Sequence, residues 1–393
     1  MVNGRNKYRI KDIFDLSAGG DVDKEHFSAY KTSEHRYPIY SNSLENHGLY
    51  GYTSNPKYSA DSVTITGRGS VGHAEYREDE FDAIIRLLVL KPKSSNVCAQ
   101  FVADYINNCV DFSLESTGVP QLTAPQIMNV ELELPQYDEQ KEVTTVLADV
   151  SSLIDMLGKQ ISKKKAIKQG TMQELLTGNR RLPGFSGEWE TKKLEDYCSL
   201  ITKQTGFDYS AYIKPALITR KMPNTFPMIQ TINFRGRKFT FETDYYIPQS
   251  VAMQFPNIVL NKKCVLFSIV GASVGNVGLY PGSITAFCGG AIGITRFRNE
   301  QDAEWVFNYM SSPDGQSQIQ YVTKGGAQAT VTIADIRNFK IPTPEKGERD
   351  AISGILENMD HEIEALEKKL KKYRQVKQGM MQQLLTGKIC LEK

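Results

Sequence analysis

The stretch KQGTMQELLTG at residues 168–178 recurs almost unchanged as KQGMMQQLLTG at residues 377–387. The two copies are separated by a constant offset of 209 residues (377 − 168). The same offset, carried backwards without gaps, pairs Val143 with Ile352, and it also pairs Pro135 with Pro344. Similarity at a fixed period is the signature of a chain built from repeated units. The sequence therefore predicts a pseudo-two-fold internal repeat.

The residues that lead into each copy carry an apolar side chain at every third or fourth position, which is the spacing of a coiled-coil seam. No proline interrupts either run after Pro135 or Pro344, and each run ends at Thr-Gly, a common C-terminal stop for a helix. We therefore predict two helices of roughly 35–40 residues, about 55 Å long. Their predicted seam consists of Leu147, Val150, Ile154, Leu157 and Ile161 in the first helix and Leu356, Met359, Ile363, Leu366 and Leu370 in the second.

The parts of the chain that precede the two helices have diverged, and their remaining likenesses lie at smaller offsets. Residues 10–13 resemble residues 194–197, and residues 70–72 resemble residues 273–275. Strand-like segments punctuated by glycines are predicted at 62–66, 83–90, 258–260 and 264–270, with short helices at 97–110 and 303–310. The predicted class is α+β, with strand-rich domains at 1–136 and 180–344 and helices at 137–179 and 345–393.

The composition of the 393 residues is that of an ordinary globular protein, and its net charge of +2 is too small to indicate nucleic-acid binding. No apolar run approaches the length that spans a bilayer, and the first residues lack the apolar segment of a secretory signal. The six cysteines form no C-x-x-C pair and are typical of free thiols in a reducing compartment. We expect a cytoplasmic protein without a membrane segment.

The motifs of several enzyme classes are missing from the sequence. GRGSVG at residues 67–72 matches the G-x-G-x-x-G dinucleotide pattern, but no amphipathic helix follows it, so a tight turn between strands is the better interpretation. The Walker and H-E-x-x-H patterns are absent, and the five histidines have no ligand spacing. The sequence therefore predicts neither a catalytic site nor a metal site.

Three stretches of the sequence carry a resemblance to a known family. KQGTMQELLTGNRRLPGFSGEW at residues 168–189 is similar to the central conserved region of type I restriction-modification specificity subunits, and residues 377–387 resemble their distal conserved region. GAQATVT at residues 326–332 with DIRNFKIP at 335–342 resembles the end of their target-recognition domains. The first copy departs from the pattern only at its N-terminal edge, where residues 7–8 lack the aromatic lead-in. The resemblance covers the whole chain in the family's order.

This resemblance implies a function and a set of partners. Each strand-rich part would be a target-recognition domain that reads one half of a split, asymmetric target in double-stranded DNA, and the two helices would pack antiparallel as a spacer. Two methyltransferase subunits and motor-nuclease subunits would dock on the chain. It would itself bind no cofactor, since S-adenosylmethionine, ATP and Mg²⁺ would belong to the partner subunits.

Candidate DNA contacts are basic and amide side chains near aromatic ones. Residues 203–238 hold seven basic residues against one acidic residue, a local charge of +6 (7 − 1), which suits contact with phosphates. Arginine can bind guanine bidentately, and asparagine or glutamine can bind adenine. The candidates are Lys31, Arg36, Asn42, Arg68, Ser70 and Arg77 in the first domain, and Lys214, Arg220, Lys221, Arg235, Arg237, Lys238, Lys324 and Gln328 in the second.

Two other functions remain open at this point. The chain could be an enzyme of the methyltransferase or nuclease class, although the motifs and the length of such an enzyme are missing. It could also be a coiled-coil scaffold with ligand-binding heads and no role on DNA. In that case the basic stretch would be a solvated loop, and the glycine-rich segment that holds Lys324 and Gln328 would only shape a turn.

Overall fold

The structure is a computed structural model that describes residues 5–112, 121–323 and 329–389. Its contacts divide the chain into two compact units, of which the first comprises Met1–Lys159 with Glu367–Lys393 and the second comprises Gln160–Leu366. Each unit therefore contains one strand-rich part, called here its head, and a segment of both long helices. The predicted boundaries at 136, 179 and 344 remain a prediction, because the units divide the helices between them.

The described part of the first unit begins with a head of short strands. These are β1 (Asn6–Arg9), β2 (Phe14–Ala18), β3 (Phe27–Ser28), β4 (Tyr37–Tyr40), β5 (Leu49–Thr53), β6 (Ser62–Ile65), β7 (Ala74–Arg77), β8 (Asp82–Ala83), β9 (Leu88–Pro92) and β10 (Glu131–Leu134). Three short helices accompany them, namely α1 (Ile10–Ile13), α2 (Ala99–Cys109) and α3 (Ala124–Met128), and the long helix α4 (Tyr137–Leu175) follows. A tight turn without regular helical backbone lies at Glu45–Gly48.

Strands of the first head form two four-stranded sheets. One has the order β2-β9-β6-β7 and is antiparallel throughout, and the other has the order β3-β5-β4-β8 with β4 and β8 parallel. A separate antiparallel pair joins β1 to β10. The β4–β5 pairing leaves residues 41–48 as the connection between these two strands.

The second unit repeats this plan with longer connections. Its strands are β11 (Glu190–Lys193), β12 (Cys198–Lys203), β13 (Thr225–Ile229), β14 (Phe234–Arg235), β15 (Lys238–Phe239), β16 (Tyr246–Pro248), β17 (Val259–Leu260), β18 (Cys264–Ser268), β19 (Val277–Tyr280), β20 (Ala286–Cys288), β21 (Ile292–Phe297) and β22 (Lys340–Thr343). Its helices are α5 (Leu194–Tyr197), α6 (Gly206–Asp208), α7 (Gln249–Ala252), α8 (Asp302–Met310), α9 (Pro313–Val322), α10 (Ile333–Asn338) and the long α11 (Lys346–Leu384). Single turns of 3-10 or π helix lie at Tyr209–Ile213, Lys214–Ala216, Thr231–Asn233 and Pro256–Ile258.

One sheet of the second head matches the first head in strand order, and the other shares the feature of a single parallel pair. The order β12-β21-β18-β19 corresponds to β2-β9-β6-β7, and the order β16-β13-β20-β17 again contains one parallel pair, β13 with β20. The pair β11–β22 corresponds to β1–β10. The internal repeat therefore extends to the heads, although their sequences have diverged, and the predicted α+β class is confirmed.

The two long helices run antiparallel, as predicted. In the first unit, Val143 and Leu147 near the start of α4 share a core with Leu384 and Leu385 at the end of α11. In the second unit, Leu175 at the end of α4 shares a core with residues near the start of α11, Ile352 and Leu356. The same direction follows from Lys164, which pairs with Glu362 at 2.6 Å, and from Lys168, which pairs with Asp360 at 2.5 Å.

The predicted seam positions differ in how deeply they are buried. Leu147, Leu157, Ile161, Leu356 and Ile363 are buried, and the other five are half-buried: Val150, Ile154, Met359, Leu366 and Leu370. Apolar burial of this kind is what stabilises a long amphipathic helix.

One predicted strand is interrupted. Residues 83–90 were expected to form one strand, but Ile85 and Arg86 adopt left-handed backbone with φ of 55° and 56° and separate β8 from β9. The amide of Ile85 donates to the carbonyl of Gly20 at 2.9 Å, which ties this turn to the segment just after β2. Hydrophobic pattern alone does not reveal such a turn, because Ile85 and the residues on both sides of the turn are as apolar as a buried strand.

The glycine-rich stretch at residues 67–72 is a turn between β6 and β7, as predicted. Gly69 and Gly72 have φ of 72° and 86°, a conformation that residues with a Cβ disfavour.

Among the described residues, none of the helices combines the length and the apolar character that crossing a lipid bilayer requires.

Candidate nucleic-acid interface

Two of the predicted basic residues of the first head lie together. Lys31 and Arg36 are exposed and line one open cavity of about 630 Å³ beside the strands β4 and β5. Three tyrosines, the turn residues Asn46 and His47, and three carboxylates share that cavity, and its lining includes Tyr37, Tyr40, Tyr52, Glu78, Asp79 and Glu80. The cavity therefore offers hydrogen-bond donors, acceptors and aromatic rings on one surface.

Arg77, also a predicted DNA contact, is buried inside the head. Only 6% of it is exposed, and its guanidinium lies 3.6 Å from the centroid of the Tyr40 ring. It pairs with Glu75 at 2.8 Å, donates to Thr64 Oγ1 at 2.9 Å and donates to the carbonyl of His47 at 3.1 Å. This geometry gives Arg77 a structural role, and no face of it is left for DNA.

The pKa shifts of Arg77 and Glu75 agree with the geometry of their ion pair. Burial acts to raise the pKa of Glu75, but Arg77 and His47 stabilise the carboxylate so that the pKa lies below its ordinary value. Burial lowers the pKa of Arg77, against the opposing effect of Glu75. The carboxylate of Glu75 is therefore ionised at neutral pH, and its pairing with Arg77 holds the two side chains in place.

Asn42 is likewise engaged within the head. Its Nδ2 donates to the carbonyl of Ile85 at 2.6 Å, and its Oδ1 accepts from the amide of Gly67 at 2.8 Å. The side-chain amide thus joins the left-handed turn after β8 to the turn after β6. Both of its functional ends are used, so a bidentate contact with a base would require these bonds to break.

Arg68 and Ser70 lie on the turn between β6 and β7, and both are exposed. The backbone of Arg68 forms an isolated antiparallel bridge with Gln121, and the carbonyl of Ser70 accepts a hydrogen bond from the hydroxyl of Thr66. The backbone of the turn is therefore held, while the two side chains face solvent.

The basic stretch of the second head is mostly at the surface. Lys214, Arg220 and Lys221 are exposed, and the next residues along the chain, Met222 and Asn224, line a cavity of about 700 Å³. Exposed rings accompany them, since Phe207 is 71% exposed and stands edge-on to Tyr212 with centroids 6.1 Å apart. The combination of basic and aromatic side chains was predicted, and the structure brings it to the surface.

Arg235 and Lys238 are cross-strand partners on the hairpin formed by β14 and β15, and both are exposed. Arg237, between them at the tip, is directed the other way. It pairs with Glu304 at 2.7 Å and with Asp360 of α11 at 2.9 Å, and it lies 4.9 Å from the ring centroid of Phe307. Like Arg77 in the first head, Arg237 has a structural role.

The remaining predicted contacts, Lys324 and Gln328, lie outside the described residues. Sequence reasoning missed Asn46 and His47, whose turn is signalled only by an asparagine two residues before Gly48.

Within residues 5–112, 121–323 and 329–389, no group of three histidine, cysteine or carboxylate side chains is arranged to hold a metal ion.

The sequence matches, twice, a family model described as the type I restriction modification DNA specificity domain, over residues 4–166 and 186–374. The specificity subunit of the type I restriction enzyme MjaVIII from Methanocaldococcus jannaschii is 25% identical over 292 residues. That alignment covers 70% of this chain and 66% of the relative, so the match spans just under two thirds of the relative's length.

Two solved structures share the fold. The S subunit of a type I restriction-modification system from M. genitalium has a TM-score of 0.65 at 13% identity, over 97% of this chain and 96% of its own. A chain from a structure that addresses complex assembly and conformational transition of the type I R-M system has a TM-score of 0.55 at 15% identity, over 98% of both chains.

Proposed function

The chain belongs to the family of type I restriction-modification DNA specificity domains, and we propose that it is the subunit that reads DNA sequence in a type I restriction-modification complex. The observation that carries this proposal is the double match of the family model, one match to each strand-rich part with its neighbouring helix. Because the two heads differ in sequence, their half-sites differ too, and the proposed target is bipartite and asymmetric.

The exposed basic side chains support contacts with DNA in both heads. In the first head these are Lys31, Arg36 and Arg68 with the hydroxyl of Ser70, and in the second they are Lys214, Arg220, Lys221, Arg235 and Lys238. Contacts with phosphates supply most of the affinity and orient a protein on the duplex, while contacts with base edges select the sequence. We leave Arg77, Arg237 and Asn42 out of the proposed interface, since their polar groups are used inside the fold.

In this proposal the chain catalyses nothing itself and works in the cytoplasm with partner subunits. Two methyltransferase subunits, which bind S-adenosylmethionine, and motor-nuclease subunits, which use ATP and Mg²⁺, dock on it. Support comes from the family and from the shared fold of the chain whose structure addresses complex assembly. The scaffold alternative has no finding in its favour.

The long helices support a further part of the proposal. Helices α4 and α11 have 39 residues each, which corresponds to about 58 Å. Half-sites one helical turn apart are separated by about 34–36 Å along DNA. We propose that the length of the helix pair determines the number of base pairs between the half-sites.

Adenine-methylation mapping by long-read sequencing tests the proposal. Genomic DNA would be compared between a host that carries this chain with its methyltransferase subunit and a host that carries the methyltransferase subunit alone. A split, asymmetric motif that is methylated only when this chain is present is the expected result. If the two proteins assemble and no new motif appears, the chain does not direct methylation and the proposal is wrong.

A further inference from the structure

The connection between β4 and β5 has an unusual backbone. Asn46, His47 and Gly48 have φ of 47°, 55° and 77°, so three successive residues are left-handed. Asparagine and histidine tolerate this region better than most residues, but a run of it persists only where the surroundings hold it. Such segments are frequent at binding sites, where the fold maintains a conformation that the free chain disfavours.

Contacts from neighbouring residues hold this turn in place. The buried Arg77 donates to the carbonyl of His47 at 3.1 Å, and His47 Nδ1 lies 2.9 Å from Glu75 Oε1. The carbonyl of Gly48 accepts from the amide of Ser41 at 2.8 Å, which closes the connection. A Cβ at Gly48 would lie 2.8 Å from the carbonyl oxygen of Ser41, so only glycine fits there.

The turn presents two polar side chains to the cavity that Lys31 and Arg36 line. Asn46 is exposed, and the side chain of His47 is 83% exposed. An asparagine amide carries one donor and one acceptor in the geometry that matches N6 and N7 of adenine in the major groove. The amide of Asn42, four residues earlier, is already occupied by backbone groups.

The charge of the cavity favours base edges over phosphates. Glu78, Asp79 and Glu80 line it together with Lys31 and Arg36. Three carboxylates beside two basic groups repel a phosphate chain, whereas base edges carry donors and acceptors of both kinds.

Resting on the proposed function, we propose that Asn46 is a specificity-determining residue of the first head, that it contacts a base edge together with His47, and that Arg77 is the positioning residue that holds both. The base that best fits the asparagine amide is adenine. The prediction that Arg77 itself contacts DNA is thereby replaced by an indirect role.

Methylation mapping of Asn46 variants tests the inference. Asn46→Gly removes the amide and keeps the left-handed backbone, so the head stays folded. We expect one position of one half-site to lose its preference, with a discrimination about 5- to 150-fold lower, while the other half-site is unchanged. Asn46→Asp keeps the backbone preference and offers only acceptors, and we expect the preferred base at that position to change.

The positioning role has its own readout. Arg77→Lys keeps the charge but cannot make the same set of hydrogen bonds. We expect it to lower the discrimination between bases at the same position of the half-site as Asn46→Gly does. The double variant would then lose no more discrimination than either single variant. If methylation by Arg77→Lys falls at every site while the motif is unchanged, Arg77 only stabilises the head, and its positioning role is overturned.

Asn55 is the matched control, an exposed asparagine of the same head that does not line the cavity. Asn55→Ala should leave the motif unaltered. A wild-type motif that Asn46→Gly and Asn46→Asp both preserve would overturn this inference alone, whereas the lack of any wild-type motif would overturn the proposed function.

Discussion

Arg181 donates two hydrogen bonds, each 2.7 Å long, to the two carboxylate oxygens of Glu348, which is fully buried. Arg181 follows the end of α4, and Glu348 lies in the first turn of α11. Trp189 Nε1 donates to the same carboxylate at 3.0 Å. Burial acts to raise the pKa of Glu348, but the hydrogen bonds from Arg181 and Trp189 hold it below its ordinary value.

Arg181→Met should therefore destabilise the second unit, because it leaves a buried carboxylate without its charged partner. We expect a fall of several degrees in its melting temperature. The chain's two tryptophans, Trp189 and Trp305, stand edge to face with centroids 5.8 Å apart in this unit, so tryptophan fluorescence follows its unfolding. Arg180→Met is the control, since Arg180 pairs with Glu174 at the surface, and it should have almost no effect. Equal effects of Arg181→Met and Arg180→Met on the melting temperature would show that the pairing of Arg181 with Glu348 does not stabilise the second unit.

The helix seam makes a second prediction. Leu157 is 4% exposed, so Leu157→Asp places a charge in an apolar contact and should cost about 3 kcal/mol or more. Circular dichroism melting should show the loss, together with weaker assembly with the partner subunits. Leu366→Asp should act in the same direction. The neighbouring Met156 is 61% exposed, and Met156→Asp should melt like the wild type. If Leu157→Asp also melted like the wild type, the model of an apolar seam between the two helices would be wrong.

The third prediction concerns pH. Burial raises the pKa of Asp104 to about 6, against the opposing effect of Lys377. A carboxyl that binds its proton more tightly in the folded state destabilises the fold where it is ionised, above about pH 6, and this penalty shrinks as the pH falls toward the ordinary pKa of 3.8. Asp104→Asn should therefore stabilise the first unit at pH 8 by about 1–3 kcal/mol, and by less at pH 5.

The repeat supplies a precedent for this change, since Asn308 occupies the position in α8 that Asp104 occupies in α2. Thermal melts of wild type and Asp104→Asn across pH 5 to 8 check the prediction. The exposed Asp111 serves as control, and Asp111→Asn should change the melting temperature little at pH 8. A stability difference for Asp104→Asn that stays constant over this range would show that the charge of Asp104 is not its cause.

The fourth prediction separates phosphate contacts from structural arginines. If Lys221 neutralises one phosphate, Lys221→Gln should reduce the steepness of log affinity against log salt concentration by about 0.9. It should also weaken binding to all DNA sequences by the same factor. Fluorescence anisotropy of the assembled complex on labelled duplex, between about 50 and 200 mM salt, measures this slope. Lys159 is exposed on α4 and was not among the candidates, so Lys159→Gln should leave the slope as it is. An unchanged slope for Lys221→Gln would remove that residue from the interface.

The helices were predictable from the sequence because their determinants are local. An apolar residue at every third or fourth position reports which face of a helix is buried, and Leu157 and Ile161 are indeed buried at the positions that the period assigned. The equivalence of the two heads was visible only in part, since it depends on sheet order rather than on shared residues.

The roles of individual polar side chains could not be predicted in the same way. Arg237 pairs with Asp360, which is 123 residues away, and Asn42 joins two turns that lie 25 and 43 residues further along the chain. Charge and side-chain type identify what a residue is able to bind, but the partner that it finds depends on tertiary contacts. The sequence therefore predicted which stretches are basic and did not predict which arginines face inward.

The first unit is discontinuous, and this has a consequence for the order in which the protein folds during synthesis. The second unit consists of one continuous segment, Gln160–Leu366, so all of its residues have been translated before the last part of α11 is made. The core of the first unit includes Leu384 and Leu385, which leave the ribosome only after the whole second unit has been made. Domains usually fold in the order in which they emerge. Here the part of the first unit that is translated first, Met1–Lys159, cannot complete its core until the end of α11 has been made. The first unit is therefore completed after the second.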